Sequence, residues 1–210
     1  MEAFSDEIAS KKATPGGGSV SAYMGAMAAS LLSMVSKITL GKKESVPVEK
    51  LEKAISRGEE LRMRLLRLVE DDAKAFDSVM KAYRIPKSET EARQKAIQAA
   101  TVKAAEVPLG TLDNSVQVML LAREVAEVVS LNTISDVATA VAAAKGAVEG
   151  AASNVLINLE SLSDEKLVEK ISTKVNELKS ETLKLETEIA RLVYSRSKKA
   201  KRAEKPSAPA

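Results

Sequence analysis

The chain has 210 residues and a formal net charge of +3 at pH 7, with 29% charged and 45% hydrophobic residues. These values are typical of one globular domain, and so small a net charge gives no reason to expect nucleic-acid binding. The chain contains neither cysteine nor histidine. This excludes disulfides, thiolate metal sites and every catalytic arrangement that needs a cysteine or a histidine.

The first half of the chain is predicted to form three helices. A short first helix ends before residues 15–18, because their sequence PGGG breaks it. The second helix is predicted from near Ser19 to near Gly41, because glycine commonly ends helices. Most of this helix lies within residues 13–36, which contain no charged residue. A long third helix follows and is predicted to end near Arg84, two residues before a proline.

The second half continues in the same way. A helix over residues 88–106 is broken or kinked at Pro108, and the helical pattern resumes over residues 112–129. A second alanine-rich helix then reaches about Asn158, and the last long helix begins near Ser163. No alternation of polar and apolar residues with a period of two competes with these helices.

These elements define the predicted fold. We expect an all-α, single-domain bundle of about seven helices, with two central helices rich in small residues. The domain is predicted to occupy residues 1–195. Residues 196–210 are basic and then rich in proline and alanine, so we expect them to form a disordered tail.

Two segments, residues 18–40 and 134–158, are dense in alanine, glycine and serine. Small side chains let helix axes approach closely, so one interpretation is two tightly packed core helices. The other is that a ligand occupies the space that large side chains would fill. The first segment is long enough to span a membrane, but serines dilute it, so we expect no membrane contact. The amino terminus lacks the pattern of a signal peptide, and we expect a cytoplasmic protein.

Polar or flexible residues stand at the start of both segments. Three consecutive glycines precede Ser19, and a helix start of this kind leaves backbone N–H groups available to an anion. Asn132, Ser135 and Asp136 precede or begin the second segment. An aspartate in a first helical turn is most often a residue that the helix dipole stabilises, and a functional role is the alternative.

The motifs of this chain occur in an order that resembles the cyclodeaminase/cyclohydrolase family. This family includes the cyclodeaminase half of formiminotransferase-cyclodeaminase and stand-alone methenyltetrahydrofolate cyclohydrolases. The chain departs from the family pattern at Val129 and Ser130, where the family usually has Gly-Asn. The resemblance is carried by residues 14–19 (TPGGGS), 38–43 (ITLGKK), 71–76 (DDAKAF), 104–108 (AAEVP), 132–136 (NTISD) and 154–158 (NVLIN).

The resemblance implies an all-α domain that forms a homodimer and binds folate in a cleft between these helices. It implies a tetrahydrofolate derivative as the substrate and requires no metal. The reaction is either the formimidoyltetrahydrofolate cyclodeaminase or the 5,10-methenyltetrahydrofolate cyclohydrolase reaction. Both change the carbon between N5 and N10, and the sequence does not separate them.

The resemblance also suggests roles for individual residues. Asp136 is our candidate for the catalytic carboxylate, and Asp72 is a candidate for a second acid. Lys42 and Lys43 are candidates for contact with the glutamate tail, although solvated lysines at a helix end are an equally good interpretation. The full set of candidate substrate-binding residues is Gly16, Gly17, Gly18, Ser19, Lys42, Lys43, Asn132 and Ser135.

Two interpretations of other classes stay open. The chain could be a folate-binding homologue without catalytic activity. It could also be a helical interaction protein whose basic tail binds nucleic acid, although the charge balance gives no support to this.

Overall fold

The computed structural model describes residues 2–42 and 46–203, and within these ranges it is built from α-helices without any strand. The prediction of an all-α fold is confirmed. The elements are α1 (Glu2–Ile8), α2 (Gly17–Leu40), α3 (Val48–Tyr83), α4 (Thr90–Val128), a 3-10 helix η1 (Leu131–Thr133), α5 (Ile134–Leu159) and α6 (Glu165–Ala203).

Helices α2 to α5 form the centre of the bundle. Helix α2 packs against both α3 and α5, α4 packs against α3 and α5, and α6 lies on α4 and α5. Helices α2 and α5 run antiparallel, because Gly17 lies beside Asn154 while Met24 lies beside Gly146. At the other end of α2, Thr39 Oγ1 accepts a hydrogen bond from the backbone N–H of Ser130, just before η1. The amino end of α2 therefore lies beside the carboxyl end of α5, and the carboxyl end of α2 lies beside the amino end of α5.

The small residues of α2 are explained by close helix packing. A Cβ atom on Gly58 of α3 would overlap the hydroxyl of Ser33 of α2, and one on Gly150 of α5 would overlap that of Ser21. Thirteen of the 24 residues of α2 are buried, so the helix contacts neighbours on more than one side. By length and composition α2 could also cross a membrane, but 61% of its most apolar window is buried within the fold. Burial to this extent is typical of a helix in the core of a folded domain.

Helix α4 runs without interruption through Pro108, where the sequence predicts a break or a kink. A proline inside a helix has no N–H to donate to the carbonyl four residues earlier, here that of Ala104. Asn158 of α5 supplies the missing donor, since its side-chain Nδ2 lies 3.0 Å from the Ala104 oxygen. The second proton of the same amide group goes to Asn154 O at 2.8 Å. A side chain from the neighbouring helix thus satisfies the carbonyl that the proline leaves without its helical partner.

Helix α6 continues beyond residue 195, at which the sequence analysis places the end of the domain, and reaches Ala203. Arg196 is half-buried, and its guanidinium donates to Ala126 O at 2.5 Å and to Val129 O at 2.7 Å. These carbonyls lie at the carboxyl end of α4, where helical carbonyls have no intrahelical partner and a cation is favourable. Arg196 therefore belongs to the folded bundle, and the tail prediction for residues 204–210 lies outside the described residues.

Candidate functional site

The predicted site residues form two groups at opposite ends of α2. Gly16, Gly17, Gly18 and Ser19 lie at its amino end, while Lys42 lies just beyond its carboxyl end. With 24 residues at about 1.5 Å per residue, the two ends of α2 are about 36 Å apart. Asn132, Ser135 and Asp136 belong to the second end, because α5 begins where α2 finishes. Within one chain, the structure does not bring the two groups into a common cleft, and Lys43 lies outside the described residues.

The first group lines a cleft of about 320 Å³, which we call the glycine cleft. The start of α2, the middle of α3 and the end of α5 form its walls. The lining residues are Ala13, Thr14, Gly16, Gly17, Gly18, Asp72, Ala75, Phe76, Val79, Ala104, Asn154, Ile157 and Asn158.

Asp72 is the charged group of the glycine cleft, and two residues of α2 determine its position. Ser19 donates a hydrogen bond to it, and Gly18 leaves space for it. Ser19 is buried, and its Oγ donates to Asp72 Oδ2 at 2.8 Å, with Val69 O at 3.2 Å as a weaker alternative. A Cβ atom on Gly18 would overlap the Asp72 carboxylate. Gly18 thus makes room for a carboxylate, and no glycine in the described residues has a positive φ that would require this residue type. These contacts fix the position of Asp72 in the cleft, and its role as a second acid stays a prediction.

The remaining walls of the glycine cleft combine apolar surface with amide groups. Phe76 is 37% exposed and lines the cleft together with Val79 and Ile157. Asn154 and Asn158 both direct their Nδ2 atoms to backbone carbonyls, which leaves their Oδ1 atoms as free acceptors. Such a cleft is suited to a flat, partly apolar ring that carries N–H donors.

Three lining residues were not predicted as site residues from the sequence, although they lie within motifs that carry the family resemblance: Phe76, Asn154 and Asn158. A signal was present, because asparagines four residues apart share one face of a helix. The position of that face against α2 and α3 could not be read from the chain, since it depends on the antiparallel pairing of α2 with α5.

The second group lines a cleft of about 410 Å³, which we call the lysine cleft. Lys42 Nζ donates to Ser130 Oγ, and the Ser130 N–H donates to Thr39 Oγ1 at 3.0 Å. Ser130, one of the two residues that depart from the family pattern, thus joins the end of α2 to the end of α4. The lining residues are Thr39, Lys42, Val46, Pro47, Val128, Val129, Ser130, Leu131, Asn132 and Arg196.

Ser135 and Asp136 line neither of these two clefts. Ser135 is exposed, and Asp136 is half-buried in the first turn of α5. A carboxylate at that position is stabilised by the amino end of the helix. The catalytic role of Asp136 stays a prediction. Within the described residues, no three acidic side chains are grouped so that they could hold a metal ion.

Comparisons with known proteins agree with the resemblance found in the sequence. Residues 1–177 match the family model for formiminotransferase-cyclodeaminase. The chain is 40% identical over 200 residues to methenyltetrahydrofolate cyclohydrolase of Methylorubrum extorquens, a match that covers 93% of this chain and 96% of the relative. It is 32% identical over 185 residues to formimidoyltransferase-cyclodeaminase of Rattus norvegicus, covering 86% of this chain and 34% of that protein.

The fold is also similar to a solved structure. The crystal structure of formiminotetrahydrofolate cyclodeaminase from Thermotoga maritima matches with a TM-score of 0.85 and 28% sequence identity. The match covers 93% of this chain and 96% of that chain.

Proposed function

The chain belongs to the formiminotransferase-cyclodeaminase family, and from this we propose that it is a folate-dependent one-carbon enzyme acting at the carbon between N5 and N10 of tetrahydrofolate. We favour the 5,10-methenyltetrahydrofolate cyclohydrolase reaction, because the relative of that name is 40% identical over nearly the full length of both chains. The formimidoyltetrahydrofolate cyclodeaminase reaction is the second candidate, which the similarity to the Thermotoga maritima structure supports.

The pterin ring is proposed to bind in the glycine cleft. The observation that supports this is the combination of the Asp72 carboxylate with the exposed ring of Phe76 in one cleft. A pterin is flat and aromatic, so it can pack against Phe76, and it carries N–H groups that a carboxylate or an amide oxygen accepts. Gly16 and Gly17 leave the backbone of the cleft open to close approach by the ligand.

In the proposed reaction, a water oxygen adds to the cationic methenyl carbon and gives a tetrahedral carbon between N5 and N10. The bond from this carbon to N5 then breaks, N5 keeps the electron pair and takes a proton, and 10-formyltetrahydrofolate leaves with one proton released to solvent. Asp72 has two functions in this scheme. Its negative charge stabilises the cation, and its free oxygen accepts the proton of the attacking water. Ser19 fixes the orientation of the carboxylate through its 2.8 Å hydrogen bond.

The proposal includes a homodimer, in which a second copy of this chain packs on the outer face of α2. Met27, Met34 and Ile38 are exposed there, and Ala138 and Ala142 of the adjacent α5 are exposed as well. Residues Gly17 to Ser36 of α2 carry no charge, unlike the solvent faces of α3 and α6, so this face is suited to burial against a partner. A cytoplasmic location belongs to the same proposal, and cell fractionation would test it.

The proposed dimer gives Asp136 a place in the proposed reaction. The glycine cleft lies at one end of the α2–α5 face and Asp136 lies at the other end. An isologous dimer in which the two α2 helices run antiparallel therefore sets the glycine cleft of one chain beside Asp136 of the partner subunit. Asp72 and Asp136 would then act in one site composed of two chains.

The activity is tested by offering both methenyl- and formimidoyltetrahydrofolate and by following the methenyl chromophore and ammonia release. We expect turnover of the methenyl compound, and we expect Asp72→Asn to lower kcat by about 100-fold or more. If neither substrate is consumed, the enzyme proposal is wrong. Tight folate binding without turnover would then identify a non-catalytic folate-binding homologue. No folate binding, with salt-sensitive retention on DNA, would identify the interaction protein.

The composite site is tested by mixing subunits. Co-expressed Asp72→Asn and Asp136→Asn chains form heterodimers in which one site keeps both carboxylates, so we expect part of the lost activity to return. No restoration, with both single variants inactive, would place both residues in the site of one chain. Full activity of Asp136→Asn alone would remove Asp136 from the mechanism.

A further inference from the structure

The side-chain amide of Asn158 has a fixed orientation at the wall of the glycine cleft. Its Nδ2 atom lies 3.0 Å from the oxygen of Ala104 and 2.8 Å from the oxygen of Asn154, so both amide protons are used. A rotated amide would place its own oxygen against these two carbonyl oxygens, and neither hydrogen bond could form. The Oδ1 atom of Asn158 is therefore held as an acceptor on a residue that lines the cleft.

Pro108 is the reason that one of these two carbonyls is available. The proline is buried within α4 and has no N–H, so the Ala104 carbonyl lacks its helical partner and accepts from the asparagine of α5 instead. Any other residue type at position 108 would offer a backbone N–H to that carbonyl. The proline thus makes a backbone carbonyl of α4 the second anchor for a side chain of the cleft.

The charged and amide groups of the glycine cleft favour a ligand that donates hydrogen bonds. None of its described lining residues is basic, and Asp72 supplies a carboxylate. Within residues 2–42 and 46–203, the side chain of Asn158 acts only as a donor, and its Oδ1 atom has no partner. A ligand that covers this half-buried oxygen without offering an N–H removes it from water and leaves it unpaired, which costs free energy. The cleft should therefore select a ring that presents an N–H to Asn158.

We propose that Asn158 is a specificity-determining residue, whose Oδ1 atom accepts a hydrogen bond from the amino group at C2 of the pterin, and that Pro108 is its positioning residue. The assignment rests on the proposed function, in which Asp72 acts on the carbon between N5 and N10. The C2 amino group is at the opposite end of the pterin from this carbon. Asn158 and Asp72 likewise belong to different walls of the cleft, because α5 carries the asparagine and α3 carries the carboxylate.

The experiment measures binding of two ligands to the full chain, tetrahydrofolate and its 2-desamino analogue, in which a hydrogen atom replaces the C2 amino group. We expect the wild type to bind tetrahydrofolate about tenfold more tightly, because the analogue leaves the Asn158 oxygen unpaired. In Asn158→Ala this preference should disappear, since only tetrahydrofolate loses a hydrogen bond. In Pro108→Ala the preference should fall by about threefold, because the amide then depends on one anchor, the oxygen of Asn154.

The double variant of Pro108→Ala with Asn158→Ala separates ligand recognition from stability. Its Ala104 carbonyl has a backbone N–H again, so we expect it to fold, and the preference for the amino group should still be absent. Asn114→Ala is the matched control. Asn114 Nδ2 also donates to the carbonyl four residues earlier, at 2.8 Å, and the residue does not line the cleft. This control should keep the preference of the wild type.

The outcomes distinguish this assignment from the enzyme proposal, because binding is measured without turnover. Selective binding by a protein that consumes neither substrate would contradict the enzyme proposal and leave the role of Asn158 supported. Turnover with equal weakening of both ligands in Asn158→Ala, or a preference that survives in the double variant, would overturn the role of Asn158. An unchanged preference in Pro108→Ala would overturn the positioning role of the proline. If the wild type binds neither ligand, the pterin site itself is wrong.

Discussion

The two ends of the α2–α5 pair use opposite means to prepare a site. At the glycine end, Gly18 has no Cβ atom, and the carboxylate of Asp72 occupies the space where this atom would be. At the lysine end, long side chains are added, and Lys42 and Arg196 reach hydroxyl and carbonyl groups at the corner that follows α4. The difference teaches that the first end depends on a steric exclusion, which any larger residue violates. The second end depends on hydrogen bonds, which substitutions weaken by degrees.

The largest expected effect tests the steric exclusion at the glycine end. In Gly18→Ala, the new methyl group displaces Asp72 from the cleft, so we expect kcat to fall by about 100-fold and the free energy of unfolding to fall by about 1–3 kcal/mol. Gly110→Ala is the matched control, since a Cβ atom there meets only Leu68 at ordinary contact distances. It should be stabilising by about 0.5–1 kcal/mol, because alanine favours helices. Normal turnover of Gly18→Ala would remove the distinction between the two ends.

The second prediction asks whether the glycine end also depends on a hydrogen bond. Asn158→Ala leaves the Ala104 carbonyl without its donor, and we expect the free energy of unfolding to fall by about 1–3 kcal/mol. Pro108→Ala restores the backbone N–H, so the double variant should recover much of this loss. Urea unfolding of the four proteins in a double-mutant cycle measures the coupling. Additive effects would mean that Asn158 does not replace the missing donor.

The smallest effect comes from an ion pair outside both clefts, and it gives the baseline for surface contacts. Glu59 of α3 accepts from Lys37 of α2 at 2.8 Å and from Arg62 at 2.8 Å. These two hydrogen bonds lower the pKa of Glu59 below its ordinary value of 4.5. The stabilisation is therefore present above the unfolded-state pKa and is lost as the pH falls through the lower folded-state pKa.

For Glu59→Gln we expect a loss of about 0.2–1 kcal/mol at neutral pH, since exposed ion pairs contribute little. The difference from the wild type should disappear in acidic buffer below the folded-state pKa, and it should shrink with added salt. Chemical unfolding at two pH values measures both effects. A difference that stays constant with pH would assign the loss to packing instead of charge.

The sequence supported the fold well and the site only in part. Helical spacing, glycine and proline positions predicted the helices, because these signals act over a few residues. The continuity of α4 through Pro108 could not be predicted, since its cause is a side chain fifty residues away at Asn158. The extension of α6 to Ala203 was missed for a similar reason, because Arg196 finds its acceptors on α4.

The site residues were recognised by type and motif, and their grouping was the part that the chain could not reveal. Gly18, Ser19 and Asp72 come from two helices that the fold brings together, and the sequence indicates each of them only separately. Asp136 was expected beside them, and only the antiparallel order of α2 and α5 shows that it lies at the far end of its own chain.

The contact between Asn158 and Ala104 fixes the order in which descendants of this sequence can change. Pro108 can be replaced first by a small residue such as alanine, because a restored backbone N–H makes the asparagine amide redundant at that carbonyl. Loss of Asn158 first leaves the carbonyl of Ala104 without this donor beside the glycine cleft. Positions 108 and 158 are therefore coupled, and loss of the proline before the asparagine is the less costly order of change. Once position 108 has a backbone N–H, Asn158 can be substituted, and the lining of the glycine cleft can change, without loss of this hydrogen bond.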